Sequence, residues 1–360
     1  MPGVRAVTPA PQGASSELRR VLLSAQAVPV EVASGAVPPP QRLSAFLASS
    51  AAPAALVAHE LRLPYEALSA AAALRLLLPP GVAAPSSFEE VGHIVHLNLR
   101  APQLPWARLI GAVLLDKSSR AATVVNKAGE LEGPHRTFAL QLLAGEARYG
   151  ARVSEGGAQY DVDVSAVYWN SRLGSERQRL VALFRPGQAV LDLCAGVGPI
   201  AVAAARAGCT VVANDLNPAA AAALRSNAAL NGVAAAVRIY NEDGVALARR
   251  LLAQAPPPPL DHVVANLPGG APELMGAALS RAFPRAAWED APLPLCHVYA
   301  FSKAAQPERD VLRRCADALR VPPEALADAD VTTVRDVAPG KPMLRVSFRI
   351  PPQAAFDDQP

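Results

Sequence analysis

At 360 residues the chain is long enough for two domains, or for one large and one small. A hydrophobic content of 51% excludes a disordered or fibrous protein, and a net charge of +3 permits a polyanionic partner without requiring one. The 35 prolines, about twice the usual frequency, point to stiff linkers and loose termini. Cys194, Cys209, Cys296 and Cys315 form no C-x-x-C pair and show no zinc-ligand spacing, so free thiols in a reducing compartment are expected and no metal site. Every apolar run near 18 residues is broken by charge or proline, and no membrane span is expected.

Residues 1–85 read as a variable, partly disordered region. Arg5, Arg19 and Arg20 among several serines, with Glu17 as the one acid of the first thirty residues, loosely resemble an organellar transit peptide. Pro38–Pro40 and Ser49–Pro53 read as linkers, and Leu43–Leu47 and Tyr65–Leu78 as short helices. Residues 86–165 read as a middle domain. Ser86-Ser87-Phe88-Glu89-Glu90 has the form of a helix start, with a serine cap before acids that suit the positive helix end. Alternating Ile94, Leu97 and Leu99 follow, and His93 and His96, with no third ligand nearby, read as residues used in packing or backbone hydrogen bonds. Trp106–Asp116 reads as helix into strand, and Thr123–Lys127 and Thr137–Leu140 as strands. Arg136 precedes the last of these, where a guanidinium could clamp a phosphate or a base carbonyl. Val167–Leu180 reads as a linker whose aromatics and arginines could stack bases and hold phosphates.

Residues 166–351 are organised around Val190–Pro218. A short apolar strand, Ala189–Leu193, carries Asp192 and enters the turn Gly196-Val197-Gly198. A helix opening on Pro199 follows, then a second strand ending at Asp215: the first half of a nucleotide-binding α/β sheet. An acid four residues before the glycine turn would repel a pyrophosphate, whereas S-adenosylmethionine carries an amino group and a sulfonium there. Asp215 is spaced to accept from ribose hydroxyls. Asp243, at the tip of the strand Val237–Tyr240, is placed to reach the adenine amino group. A fourth strand, Asp261–Ala265, ends in Asn266-Leu267-Pro268, a turn suited to lie beside the transferable methyl. Cys296–Lys303 and Met343–Pro351 complete an expected seven-stranded, mostly parallel sheet, with a helix at Glu308–Leu319 between them and a polar tail at 352–360.

These segments, VGHIVHLNLR, NKAGELEGPHRTFALQLLAGE, VYWNSRLGSERQRL, DLCAGVGPIAVAA, ANDLNP, YNEDG, ANLPGGAPEL and VRDVAPGKPMLRVSFRIP, fall in one family's order. From about Phe88 to Pro351 the chain resembles the archaeal/eukaryotic-type tRNA (guanine-37-N1)-methyltransferases. The resemblance implies a class I Rossmann-like methyltransferase domain, a smaller middle domain and an N-terminal RNA-recognition domain. It also implies methyl transfer from S-adenosylmethionine to N1 of guanosine 37 of a tRNA. By motif it makes Glu176 the general base and Arg136 the group that steadies the guanine carbonyl. It places Asn266 and Pro268 at the turn shared by base and cofactor, and Tyr168 and Arg172 at the target site. Cofactor contacts fall on Arg177, Asp192, Gly196, Gly198, Asp215, Leu216, Asp243 and Gly244. A monomer in the cytoplasm is implied, with the mitochondrial matrix and nucleus as alternative compartments. Two other functions remain: an aminocarboxypropyl transferase of wybutosine synthesis and a non-catalytic tRNA-binding module. A NAD-dependent dehydrogenase is more distant, since the position a dinucleotide fingerprint gives to glycine is Ala201.

Overall fold

The computed structural model describes residues 64–132 and 137–357, with short segments at 7–9, 19–21 and 41–49. Two compact units divide the chain: residues 1–85 with 102–118, and residues 86–101 with 119–360. In the first, β1 (Val7–Pro9) pairs antiparallel with β2 (Arg19–Val21), and α1 spans Gln41–Ser49. Helix α2 (Ala70–Leu77) starts at Ser69, whose hydroxyl accepts from the Ala72 N–H at 3.2 Å. Trp106–Asp116, expected to run from helix into strand, is one helix, α3 (Ala107–Lys117), which buries Ile110, Val113 and Leu114.

The second unit holds the glycine-loop motif. Ser86–Glu90 does not start a helix: Glu89–Val91 is strand β3, paired antiparallel with β4 (Ile94–Leu97) across a turn at Gly92. The two acids are used by side chains elsewhere in the unit. Glu89 accepts from the Ser171 N–H and hydroxyl and pairs with Lys127 at 3.7 Å, and Glu90 pairs with Arg120. A parallel pairing of β4 with β5 (Thr123–Glu132), and an antiparallel one of β5 with β6 (Thr137–Gly145), complete a four-stranded sheet. Burial lowers the pKa of His96 to about 4, so the ring packs neutral.

A hairpin, β7 (Gly150–Glu155) and β8 (Ala158–Asp163), leads into the main sheet. Its outer strand is stitched by two side-chain amides. Asn227 exchanges hydrogen bonds with the Asp161 backbone, and Asn231 does the same with Gln159. Each amide supplies a donor and an acceptor, as a neighbouring strand would.

The main sheet has seven strands in the order β11-β10-β9-β12-β13-β15-β14. Strands β9 (Ala189–Asp192), β10 (Thr210–Asn214), β11 (Val237–Tyr240), β12 (His262–Ala265) and β13 (Leu295–Phe301) are parallel. The sheet has the seven strands expected, but the sequence did not locate one of them, β14 (Asp330–Ala338); it pairs antiparallel with β15 (Lys341–Arg349), which itself runs antiparallel to β13. Strands β9 and β12 are buried at every position, as parallel strands covered on both faces must be. The expected linker at Val167–Leu180 carries helix α4 (Gly174–Val181), and Leu173, Glu176, Arg177 and Leu180 are buried. Helices α5 (Pro199–Arg206), α6 (Pro218–Leu230) and α7 (Gly244–Leu252) follow β9, β10 and β11. Each starts as a strand ends: α5 and α6 open on Pro199 and Pro218, and Asn217 and Asp243 cap α6 and α7.

Beyond β12, α8 (Ala271–Leu279) crosses α10 (Pro307–Leu319) so closely that a methyl group on Gly276 would lie 2.3 Å from the Ala318 carbonyl oxygen. Helix α9 (Arg285–Trp288) brings Trp288 edge-on to Phe283. The expected polar tail begins instead with a short helix, α11 (Pro352–Ala355), and Ala354, Ala355 and Phe356 are all buried in the core beside Phe283 and Phe348.

Candidate active site

Strand order reverses beside β9, and in such sheets the crevice at the carboxyl ends of the strands is where ligands bind. A cavity of about 290 Å³ lies there, at the ends of β9, β10 and β12. One end is the glycine loop. Gly198 has φ +93, a left-handed conformation, and a methyl group on it would come within 2.1 Å of Leu224 Cδ1. Asp215 holds the loop: its Oδ2 accepts from the Gly196 N–H at 2.7 Å, and its Oδ1 from the Asn217 N–H at 2.9 Å. Asn214 ties three strand ends together, donating to the Leu193 and Glu242 carbonyls and accepting from the Glu242 N–H. Asp243 accepts from the Ala246 N–H at 2.9 Å, and Gly244 lets α7 approach until a Cβ there would lie 3.3 Å from the Leu193 carbonyl oxygen.

These residues fit an adenosine-bearing ligand. Asp215, Leu216, Asp243 and Gly244 all line the cavity. A carboxylate that already accepts one N–H on each oxygen still has lone pairs for hydroxyl donors. Asp192 lies beneath this end and is not part of the lining. It is 1% exposed, and its Oδ2 has no hydrogen-bond partner among the described residues. Burial, with Asp215 adding repulsion, raises its pKa to about 7. A ligand cation nearby would suit this acid, whereas a pyrophosphate would not.

The other end of the cavity is lined by Tyr168, the Asn266–Pro268 turn, Phe301, Met343 and, from β14, Arg335 and Val337. Tyr168 is 47% exposed, and its hydroxyl accepts from the Asn170 amide at 3.2 Å. Arg177 borders the cavity, but its guanidinium donates to Glu155 at 2.7 Å and to the Asn170 carbonyl at 3.0 Å, and lies 4.9 Å from the Trp169 ring centroid. Glu176 is 2% exposed and stands behind the lining, although Leu173 and Arg177 beside it on the chain border the cavity. Its Oε1 accepts from the Tyr299 hydroxyl at 3.0 Å and from Arg345 Nη1 at 2.9 Å. Its Oε2 accepts from Arg179 at 3.2 Å.

Of the residues singled out from sequence, one cavity thus gathers Tyr168, Arg177, Gly196, Asp215, Leu216, Asp243, Gly244, Asn266 and Pro268. Gly198, Asp192 and Glu176 stand behind it, and Arg172 is exposed and outside it, its backbone N–H donating to Asn170 Oδ1. Arg136 lies outside the described residues. Sequence reasoning missed Tyr299, Arg345, Arg335 and Val337. The first two are ordinary members of apolar strands, and the last two belong to the unrecognised β14. The available signal was the β-branched content of Val331-Thr332-Thr333-Val334, although its valines fall three apart rather than two.

A seven-stranded sheet of this order, with a glycine loop and paired acids at its reversal point, defines a Rossmann-like methyltransferase fold. Residues 151–286 match the TRM5/TYW2 methyltransferase domain, and residues 73–148 match the TYW2 N-terminal domain. A tRNA (guanine(37)-N(1))-methyltransferase of Danio rerio is 41% identical over 83% of this chain and 63% of its own length. The Homo sapiens protein of that name is 38% identical over 84% of this chain and 60% of its own. Among solved structures, wild-type Trm5b from Pyrococcus abyssi aligns at 25% identity, with a TM-score of 0.58 over 74% of this chain and 75% of that one. The chain belongs to the TRM5/TYW2 methyltransferase family, and it spans less than two thirds of the length of these curated relatives.

Proposed function

We propose that this protein transfers the methyl group of S-adenosylmethionine to N1 of guanosine 37 in tRNA. The observation that carries the reading is the single cavity shared by the glycine loop with its acids and the Asn266-Leu267-Pro268 turn. A cofactor at one end and a planar base at the other would meet there. The relatives that bear this activity in their names support it. Bound at the glycine-loop end, the cofactor supplies an electrophilic methyl group on a sulfonium that leaves as a thioether. Asp215 would accept from its ribose hydroxyls, and Asp243, beside the cavity, from its adenine amino group.

The work left to the protein concerns the target base. Guanine N1 carries a proton and is a poor nucleophile until that proton is drawn off. Glu176 is the acid assigned to take it. Arg136 is assigned to the neighbouring O6, where a cation offsets the charge that builds. The base must leave its stack to reach the cavity, and the exposed Tyr168 ring offers it a surface to stack on.

Labelled S-adenosylmethionine with two unmodified tRNA transcripts, bearing guanosine or adenosine at position 37, tests the reading. Label on the first alone, digesting to N1-methylguanosine with S-adenosylhomocysteine as the second product, is expected. Methylthioadenosine as the second product would instead establish aminocarboxypropyl transfer. Equal label on both transcripts would move the target elsewhere on the tRNA.

A further inference from the structure

Strands β13 and β15 face α4 with matched residues, because side chains two apart on a strand share a face. The register sets Phe301 opposite Met343, Tyr299 opposite Arg345, and His297 opposite Ser347. Phe301 and Met343 line the cavity. One step deeper, Tyr299 and Arg345 both close on Glu176 Oε1. Deeper still, His297 Nδ1 lies 2.9 Å from Ser347 Oγ and His297 Nε2 lies 3.2 Å from His262 Nδ1, a buried polar string separate from the glutamate.

The two oxygens of Glu176 are therefore unlike. Oε1 faces two buried donors, one of them charged. A proton placed on it would point at hydrogens already there. Among the described residues Oε2 meets only Arg179, whose side chain is half exposed. Burial and the charge of Glu176 push the Tyr299 hydroxyl far above its ordinary pKa, so it remains a donor at any working pH. Arg345 is anchored in turn by Asp330 and Thr332 of β14, each 3.3 Å from Nη2.

We propose that Tyr299 and Arg345 are positioning residues for methyl transfer: they fix Glu176 through Oε1, so that Oε2 is the oxygen that takes the N1 proton. This rests on the reading of Glu176 as the proton acceptor. As the N1 electron pair forms the new carbon–nitrogen bond and the methyl–sulfur bond breaks with its pair left on the departing thioether, the N1–H proton passes to Oε2 and later leaves to solvent. Displacement of a catalytic group by about 1 Å can cost 10²-fold in rate, which gives a rigid anchor its value.

The test compares wild type with Glu176→Gln, Tyr299→Phe, Arg345→Lys and Arg345→Met on the guanosine-37 transcript. Single-turnover rate and tRNA KM are measured at pH 7 and pH 9, with S-adenosylmethionine affinity by calorimetry and Tm alongside. Tyr299→Phe is expected to lower the rate about tenfold, a part of the roughly 10²–10⁴-fold that a general base contributes, with KM and cofactor affinity within about twofold of wild type. Part of that loss returns at pH 9, where hydroxide removes the N1 proton without help. Arg345→Lys should keep more rate than Arg345→Met. Should Arg345→Met fail to fold, the near-isosteric Tyr299→Phe still decides. Full rate in Tyr299→Phe beside a crippled Glu176→Gln would overturn the anchor and leave the base in place. Full rate in Glu176→Gln would remove the base reading and the anchor with it. Losses that follow Tm, or that show no return at pH 9, would overturn the proposal by making both residues merely structural.

Discussion

Two sets of carboxylates flank the cavity, and they are held in opposite ways. At the glycine-loop end, Asp215 and Asp243 accept from backbone N–H groups no more than 19 residues away in the chain. At the other end, Glu176 accepts on Oε1 from side chains 123 and 169 positions away, and on Oε2 from the nearby Arg179. A backbone-held acid comes into place with its own turn or helix start. A side-chain-held acid is placed only once the whole sheet has formed. The first arrangement suits a cofactor site, whose shape repeats wherever a strand meets a glycine turn. The second suits the role proposed for Glu176, because its orientation is set by several rigid elements at once.

The largest effect expected from this contrast is on rate alone. Glu176→Gln keeps the shape of the side chain and removes its basicity, so methyl transfer should fall by about 10² or more. Cofactor binding, measured by calorimetry, should stay near wild type. Turnover equal to wild type would mean that Glu176 is only a strut.

At the opposite end, stability should respond first. Gly198→Ala combines a left-handed φ with a 2.1 Å approach to Leu224 Cδ1, and should cost about 2–4 kcal/mol. Chemical denaturation reads this, and a loss below 1 kcal/mol would show that the loop can shift to make room.

Asp192 sharpens the comparison, because a backbone N–H, that of Cys194 at 3.4 Å, meets only one of its oxygens and no described residue meets the other. Its pKa is raised by burial to about 7 in the folded state, against about 3.9 when unfolded. The folded state therefore binds more protons, and the penalty is absent below about pH 4 and grows as pH rises toward about 7. Asp192→Asn should remove this loss, making the variant more stable than wild type at pH 8, but not at pH 4, by on the order of 4 kcal/mol. Parallel slopes for the two proteins across pH 4–8 would show that Asp192 stays charged and compensated.

The smallest effect is local. Asp243→Ala removes the cap of α7 and should cost about 1 kcal/mol, with Asp243→Asn near neutral. Equal losses in both variants would mean that the charge, rather than the cap, matters there.

Much of the fold was legible in the chain. Apolar runs of strand length, the Gly196–Gly198 turn, and prolines and caps at helix starts are local signals, and the parallel half of the sheet followed from them. Ser86–Glu90 misled because a serine followed by acids suits a helix start, whereas pairing with Ile94–Leu97 and the demands of Ser171 and Lys127 placed its two acids in the strand Glu89–Val91. Pro352–Phe356 misled because its polar neighbours hid an apolar Ala-Ala-Phe that the core takes up. Strand β14 went unseen because its alternation is weak and two register shifts interrupt its pairing.

By itself the sequence determined the nucleotide-binding half of the molecule: which acid follows which strand, where the glycines must fall, and that the ligand favours a cation over a pyrophosphate. The reason is that each of those features is decided within about twenty residues, by backbone geometry and hydrogen bonding. Only the tertiary structure decided that Glu176 is buried behind the cavity wall, which of its oxygens is anchored, and that Tyr299, Arg345 and the β14 strand belong to the site. Those facts depend on register between strands far apart in the chain, and register is settled by the packing of the finished sheet.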